Sequence, residues 1–376
     1  MRLLLLLVIL SVFVSSCARP RSEVGDTARV CNKQEVSDLT RRAGEWADSV
    51  ADAMTLEEQV GQLFMPASYT RTDNATISAV SAYVADCKVG GMVFLKGDTC
   101  SMRVLSDTLQ RQSRVPMFLA VDAEWGLGMR LEGARSYPKN YRLADAGEQW
   151  MYDYGYSVGC ECLSVGLNMV LGPVLDVAPA PGTVMYKRSL GADPAVVGRL
   201  GTAYARGLED AGVVPVAKHF PGHGFTWSDS HDGLPVIRRD SAHIAAVDLL
   251  PFRQYIDMGF PALMAGHISM PALSGDTLPA VLSRKVMTGI LRGKMKFDGL
   301  LITDALNMKA LDAGDGTETR AVRTLMAGAD IMLAPSDTRR EIDGVVEAVR
   351  SGRLSASIVR DRCRRVLFYK FLTLMR

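Results

Sequence analysis

Three of the chain's five histidines lie between residues 219 and 231: His219, His223 and His231. Lys218 precedes the first, and Asp229 and Asp232 flank the last. Two chemistries could use such a group. In one, His219, His223, His231 and a carboxylate bind zinc or iron, although Pro221 and Gly222 break any helical His-x-x-x-His spacing. In the other, Asp229 orients and charges His231 from two residues away, and His231 moves a proton. Loop histidines bonded to backbone are the plain structural alternative. The apolar run 213–217 reads as a buried parallel strand that delivers Lys218 and His219 at its end. Pro221, Gly222, Gly224 and Gly233 then require an irregular loop, and long ordered loops in compact domains usually carry function.

The elements needed to hold this loop are legible as a repeat. Apolar runs fall at residues 91–95, 117–121, 167–174, 213–217, 262–265, 300–303 and 331–334, and an eighth, 60–65, fits helix or strand. Helical stretches are expected between them at 101–112, 194–211, 284–294 and 339–350, with a closing amphipathic helix at 355–374. Thr55 and Glu58 predict a capped helix start. Strands alternating with helices predict a (β/α)8 TIM-type barrel as a single catalytic domain. An open doubly wound sheet is the rival, although no Gly-x-Gly-x-x-Gly loop follows an early strand. In a barrel, Asp122, Asp176, Lys218, His219, His267 and Asp304, each just after an apolar run, converge on the carboxyl-end rim where such enzymes keep their chemistry.

The string Lys218-His219-Phe220-Pro221-Gly222-His223-Gly224, followed by Asp229-Ser230-His231 and Leu234-Pro235, closely resembles the signature of glycoside hydrolase family 3, and most nearly its single-domain β-N-acetylglucosaminidase branch. Further segments share the resemblance. Residues 299–308, with Thr303-Asp304, resemble the nucleophile segment, but Ala305 stands where the family often has a second acid. Asp122 and Arg130 are kept from a sugar-contacting segment in which Ala123 and Trp125 depart from the pattern. Arg188-Ser189-Leu190-Gly191 with Asp193-Pro194 resembles a substrate-binding arginine motif. The resemblance covers roughly residues 50–340 and implies a retaining glycosidase. In it, Asp304 would trap the anomeric carbon, and a His231/Asp229 dyad would serve as acid and base. Asp122, Arg130, Arg188, Lys218 and His219 would cradle the sugar. Lys218 and Arg188 could instead be structural partners of Asp176. His223 reads as a loop-shaping group, and Trp125 as either core aromatic or sugar platform.

Residues 1–17 read as a targeting segment: Arg2, an apolar stretch 3–14 too short to span a bilayer, and Val14-Ser15-Ser16-Cys17, which resembles a bacterial lipobox. The resemblance implies acylation of Cys17; an ordinary signal peptide with an incidental cysteine is the other reading. Either predicts export, as a membrane-anchored lipoprotein of the periplasm or cell surface, with residues 18–45 as a tether and 46–376 as the barrel. Six further cysteines permit disulfides that sequence does not pair, and Cys160 and Cys162 read as small helix residues. A net charge of +2 without basic clusters argues against nucleic acid.

The expected partner is therefore a carbohydrate, with membrane attachment only through the anchor, no cofactor or metal, and no indication of oligomeric state. The expected activity is release of terminal N-acetylglucosamine-like residues from glycans, peptidoglycan fragments among them. A family β-glucosidase, a non-catalytic glycan-binding lipoprotein and a metal-dependent barrel hydrolase are the alternatives. Substrate-assisted hydrolysis would want adjacent acids, but Glu57-Glu58 and Glu209-Asp210 fall in helical stretches. A two-domain relative would draw its acid from a following domain, which a chain reading to Arg376 leaves no room for.

Overall fold

A computed structural model describes residues 33–227, 233–311 and 318–375. Its strands are β1 (Phe64–Met65), β2 (Ala67–Thr70), β3 (Gly91–Asp98), β4 (Phe118–Val121), β5 (Leu131–Glu132), β6 (Met169–Val170), β7 (Val214–Phe220), β8 (Ala262–Ala265), β9 (Leu300–Thr303) and β10 (Met332–Leu333). The principal helices are α1 (Lys33–Ala53), α2 (Leu56–Gly61), α3 (Asn74–Ala85), α4 (Thr99–Gln112), α5 (Glu148–Ser164) and α6 (Pro194–Ala211). They continue with α7 (Ser241–His243), α8 (Leu250–Asp257), α9 (Pro271–Ser274), α10 (Arg320–Ala327), α11 (Thr338–Arg350) and α12 (Ala356–Leu374).

The central strands β4, β8 and β9 are short and almost wholly apolar because both faces are covered. Every residue of β4, β8 and β9 is buried. Several helix starts are fixed by side chains that satisfy the first free N–H groups. Thr55 and Glu58 form the expected capping box, and Asp73, Asp98, Asp193 and Asp337 cap α3, α4, α6 and α11. Gly212, at φ 98°, ends α6 in a left-handed turn that lets the chain drop straight into β7.

Pairing is parallel and follows chain order, β2-β3-β4-β6-β7-β8-β9, with β5 attached to β3. No strand-order reversal occurs, so the open doubly wound alternative is not what forms. The sheet curls instead. Thr303 N–H donates to Ile331 O (2.9 Å), Met332 N–H to Leu63 O (2.8 Å) and Gly90 N–H to Phe64 O (3.2 Å), so β10 and β1 link the two ends of the row. The ambiguous run 60–65 resolves as the end of α2 followed by β1. The helix expected at 284–294 is a π-helical stretch, Lys285–Lys294.

Asp330 locks this junction from below. Fully buried, it accepts from Leu301 N–H (2.8 Å), Arg292 (2.6 Å) and Arg365 (2.8 Å), tying β9, the π-helical stretch and α12 together. The tether expected over 18–45 is corrected where it is described. From Lys33 the chain is helix, and Ala43, Ala47 and Ala51 are fully buried, with α1 against α12. Small alanines at four-residue spacing let the two helices approach closely, although α1 is polar on average. Residues 1–32, including Cys17 and Cys31, lie outside the described residues. Cys162 and Cys363 are buried, and burial pushes the Cys363 thiol up to about 12. No described helix is long and apolar enough to cross a membrane.

Candidate active site

The rim is assembled from strand ends. β4 runs into Asp122 and Glu124, the segment after β6 into Asp176, β7 carries Lys218 and His219, β8 leads to His267, and β9 to Asp304. Because the strands are parallel and adjacent, these side chains are neighbours although distant in sequence.

Lys218 is the hub of the first cluster. Its Nζ donates to Asp122 Oδ1 at 2.6 Å and lies 2.8 Å from Glu124 Oε1. Arg188 grips Glu124 with two bonds, Nε to Oε2 at 2.9 Å and Nη2 to Oε1 at 2.6 Å, and Arg130 bonds Asp122. Burial alone would neutralise both carboxyls. Burial does push Glu124 up, but Arg188 and Lys218 outweigh it and hold the group ionised well below the carboxylate range. Asp122 is likewise held low, with burial opposed by Lys218 and Arg130. The same balance works in reverse on Lys218, where Asp122 and Glu124 overcome burial and raise it. Glu124 and Lys218 keep only 2% and 3% of their side-chain exposure, whereas Asp122, Arg130 and Arg188 keep 17%, 26% and 30%. The inner pair is thus the most shielded of the five, and the outer three keep the most surface toward a ligand.

The second cluster orients the histidines. Asp176, fully buried, accepts from His219 Nδ1–H (2.7 Å), from His219 N–H (3.2 Å) and from His223 N–H (2.7 Å). This fixes His219 with its Nε2 free to face Arg188 Nη2 at 3.5 Å. Burial would raise Asp176, but His219 beside it keeps it low. His223 Nδ1 meets Thr226 Oγ1 at 2.6 Å, and the Cβ of any residue replacing Gly224 would stand 1.9 Å from Val177 O. The loop's stem is thus clamped to the strand end beside it, as a loop-shaping His223 would require.

Asp304 emerges half-buried from β9 and accepts from Ala305 N–H at 2.8 Å. Burial pushes its carboxyl up, but His219, His267, the Ala305 N–H and Lys218 together hold it below its ordinary value. His267 is fully buried and bonded through Nε2 to Ala305 O (2.9 Å); burial pushes it down against the pull of Asp304. An ionised carboxylate thus stands at the end of β9 with Lys218, two imidazoles and a backbone N–H acting on it. That is an arrangement able to attack or stabilise an electron-poor carbon.

The structure brings together Asp122, Arg130, Arg188, Lys218, His219 and Asp304. Asp229 and His231 lie outside the described residues. The alternative in which Lys218 and Arg188 partner Asp176 is corrected: they hold Asp122 and Glu124, and Asp176 belongs to His219 and His223. Sequence reasoning missed Glu124 as a functional position and left Asp176 without a role. Trp125 is half-buried, with Lys139 Nζ 5.3 Å from its ring centre. Among the described residues no three His, Cys, Asp or Glu side chains gather as a metal site would need.

Residues 55–368 match the glycosyl hydrolase family 3 N-terminal domain, and the chain belongs to that family. It is 35% identical over 252 residues to a beta-hexosaminidase A of Pseudoalteromonas piscicida, covering 62% of this chain and 42% of that protein. It is 34% identical over 293 residues to the beta-hexosaminidase LpqI of Mycobacterium tuberculosis, covering 74% of each. A solved family 3 beta-N-acetylglucosaminidase from Paenibacillus sp. superposes with a TM-score of 0.79 at 33% identity, over 85% of this chain and 63% of that one. The chain thus spans less than half of the first of these relatives and under two thirds of the solved enzyme.

Proposed function

We propose that this chain is the (β/α)8 barrel of a retaining β-N-acetylhexosaminidase that releases terminal non-reducing N-acetylglucosamine from glycans such as peptidoglycan fragments. The observation that carries it is Asp304. It is an ionised carboxylate at a strand end, on the same rim as the Asp122–Lys218–Glu124–Arg188 cluster and the Asp176-oriented His219. The hexosaminidase names of the relatives supply the substrate class.

In the first step an Asp304 Oδ forms a bond to the anomeric carbon as the bond to the leaving oxygen breaks, and His231, charged and steered by Asp229, gives that oxygen its proton. In the second, water attacks the same carbon, His231 takes the proton, and Asp304 leaves as carboxylate. Asp122 accepts from sugar hydroxyls, and Arg130, Arg188, Lys218 and His219 donate to them. An exported, Cys17-acylated form fits the sequence of the leader.

A panel of nitrophenyl glycosides tests the reading. Turnover of the β-N-acetylglucosaminide, well above the β-glucoside and insensitive to chelator, is expected. A glucoside preference would favour the β-glucosidase alternative, and loss of activity in chelator the metal-dependent one. Asp229→Ala and His231→Ala test the dyad. Each should lower kcat on a poor leaving group such as a second sugar by about 100-fold, within the usual range for general acid catalysis, and far less on a nitrophenyl group. Equal losses on both substrates would remove the dyad from leaving-group protonation.

A further inference from the structure

Asp248 is the one buried carboxylate among the described residues with neither oxygen hydrogen-bonded. It closes the π-helical stretch Ile244–Asp248 that follows α7, and it keeps 1% of its exposure. Taking an acid out of water without a bonded partner is costly, and a leucine or methionine would fill the same space without that cost. A buried polar group left unsatisfied calls for an explanation other than stability.

Its surroundings are the stem of the loop that carries Asp229 and His231. On the limb leading into that loop, Gly222 lies directly against it. A Cβ on Gly222, whose φ is 128°, would meet Asp248 Cβ at 2.9 Å and Oδ1 at 3.3 Å. The same limb continues to His223, whose N–H Asp176 holds, and then to Phe225. On the limb leading out, Arg239 lies over the Phe225 ring and bonds His243 of α7. Arg239 therefore joins the two limbs. Burial lowers its guanidinium, and Asp248 is the stronger of the two carboxylates that oppose this. The other, Asp240, is engaged as the cap of α7, accepting from His243 N–H at 2.7 Å. In return, Arg239 favours the ionised form of Asp248, and the like charge of Asp176 opposes it; Gly222 brings no charge. Burial outweighs Arg239 and pushes the Asp248 carboxyl up to about 7.

We propose that Asp248 is a positioning residue for the acid–base loop: its carboxylate holds Arg239 across Phe225, and this clasp between the two limbs fixes the frame from which the His231/Asp229 dyad works. Asp248 is too deeply buried to touch substrate and acts through Arg239. The inference rests on the hexosaminidase reading and its dyad, and deepens it by naming what sets the dyad's place.

The test uses the purified full chain and two substrates: N,N′-diacetylchitobiose, whose leaving sugar needs a proton, and dinitrophenyl N-acetyl-β-glucosaminide, whose leaving group does not. At pH 8, Asp248→Asn should lower kcat on the disaccharide by about tenfold, the scale of a slightly misplaced catalytic group, and leave the aryl glycoside within about twofold. Arg239→Gln should do the same, and the double variant should lose no more than the worse single one, because the two residues act as a unit. At pH 5 the parent's Asp248 is itself protonated, so parent and Asp248→Asn should agree within about twofold on the disaccharide. The urea midpoint of Asp248→Asn at pH 8 should equal or exceed the parent's, since the variant buries no charge. Equal losses on both substrates, losses that multiply in the double variant, a gap between parent and Asp248→Asn that persists at pH 5, or a lowered urea midpoint would each overturn the role. Failure of the parent to hydrolyse the aryl glycoside would instead bring down the hexosaminidase reading, and a His231→Ala protein blind to the leaving group would bring down the dyad.

Discussion

Asp304→Asn should reduce kcat on any β-N-acetylglucosaminide by at least about 10⁴-fold, the scale of loss when an enzyme's attacking group is removed. The substitution is nearly isosteric. An amide oxygen can still accept the Ala305 N–H that Asp304 accepts at 2.8 Å, so the end of β9 should keep its shape. What disappears is the negative charge that His219, His267 and Lys218 hold ionised. The binding cluster does not depend on it: Asp122, Arg130, Arg188 and Lys218 are bonded to one another and to Glu124. N-acetylglucosamine should therefore bind the variant with an affinity close to the parent's, measured by calorimetry, while turnover is lost. A fluorosugar inactivator followed by peptide mass spectrometry should label Asp304 in the parent. Label on any other residue, or a variant retaining a tenth of the parent's rate, would reject the nucleophile.

That prediction was accessible from sequence because Asp304 closes a four-residue apolar run that is also the observed strand, Leu300–Thr303. Fully buried parallel strands announce themselves this way, and β8 was equally plain. β6 was overestimated for a physical reason. Of the apolar run 167–174 only Met169–Val170 pairs as a strand, because Gly172 and Pro173 interrupt the ladder. Glu124 was illegible. In the string it is one acid among many, and its importance comes from Lys218 on β7 and Arg188 on a distant loop closing over it. Asp176 is half such a case: its place after a strand put it on the rim, but its partners, the backbone N–H groups of His219 and His223 and the His219 ring, could not be read from the string. Pairings between charges on different strands are set by the curl of the sheet, which a local pattern does not encode.

Lys370 was equally hidden, since a lysine in an amphipathic helix is normally assigned to the wet face. Here it is fully buried, with Nζ 2.8 Å from Gln62 Oε1 and 5.7 Å from the centre of the Phe118 ring. No carboxylate among the described residues pairs with it, and burial pushes its ammonium down to about 7 from an ordinary 10.5. In the unfolded chain Lys370 stays protonated up to about pH 10.5, and in the folded chain only to about 7. Between those values the unfolded state binds the extra proton, so stability rises with pH across that window. Below pH 7 both states are charged, and the burial penalty is present in full. Above pH 10.5 both are neutral and it vanishes. The whole span corresponds to at most about 5 kcal/mol, at roughly 1.4 kcal/mol per pH unit.

Lys370→Met keeps the volume and the contact with Phe118 but leaves Gln62 Oε1 without its donor, which costs about 1–3 kcal/mol. The variant should therefore be more stable than the parent at pH 6, by a few kcal/mol at most, and its advantage should shrink and reverse as the pH approaches 10. Urea unfolding midpoints of the two proteins at pH 6, 8 and 9.5 measure this directly. A Lys370→Met protein that is less stable by the same amount at all three values would mean that the ammonium is solvated or paired in the folded state. The end of α12 would then be more open than the structure shows.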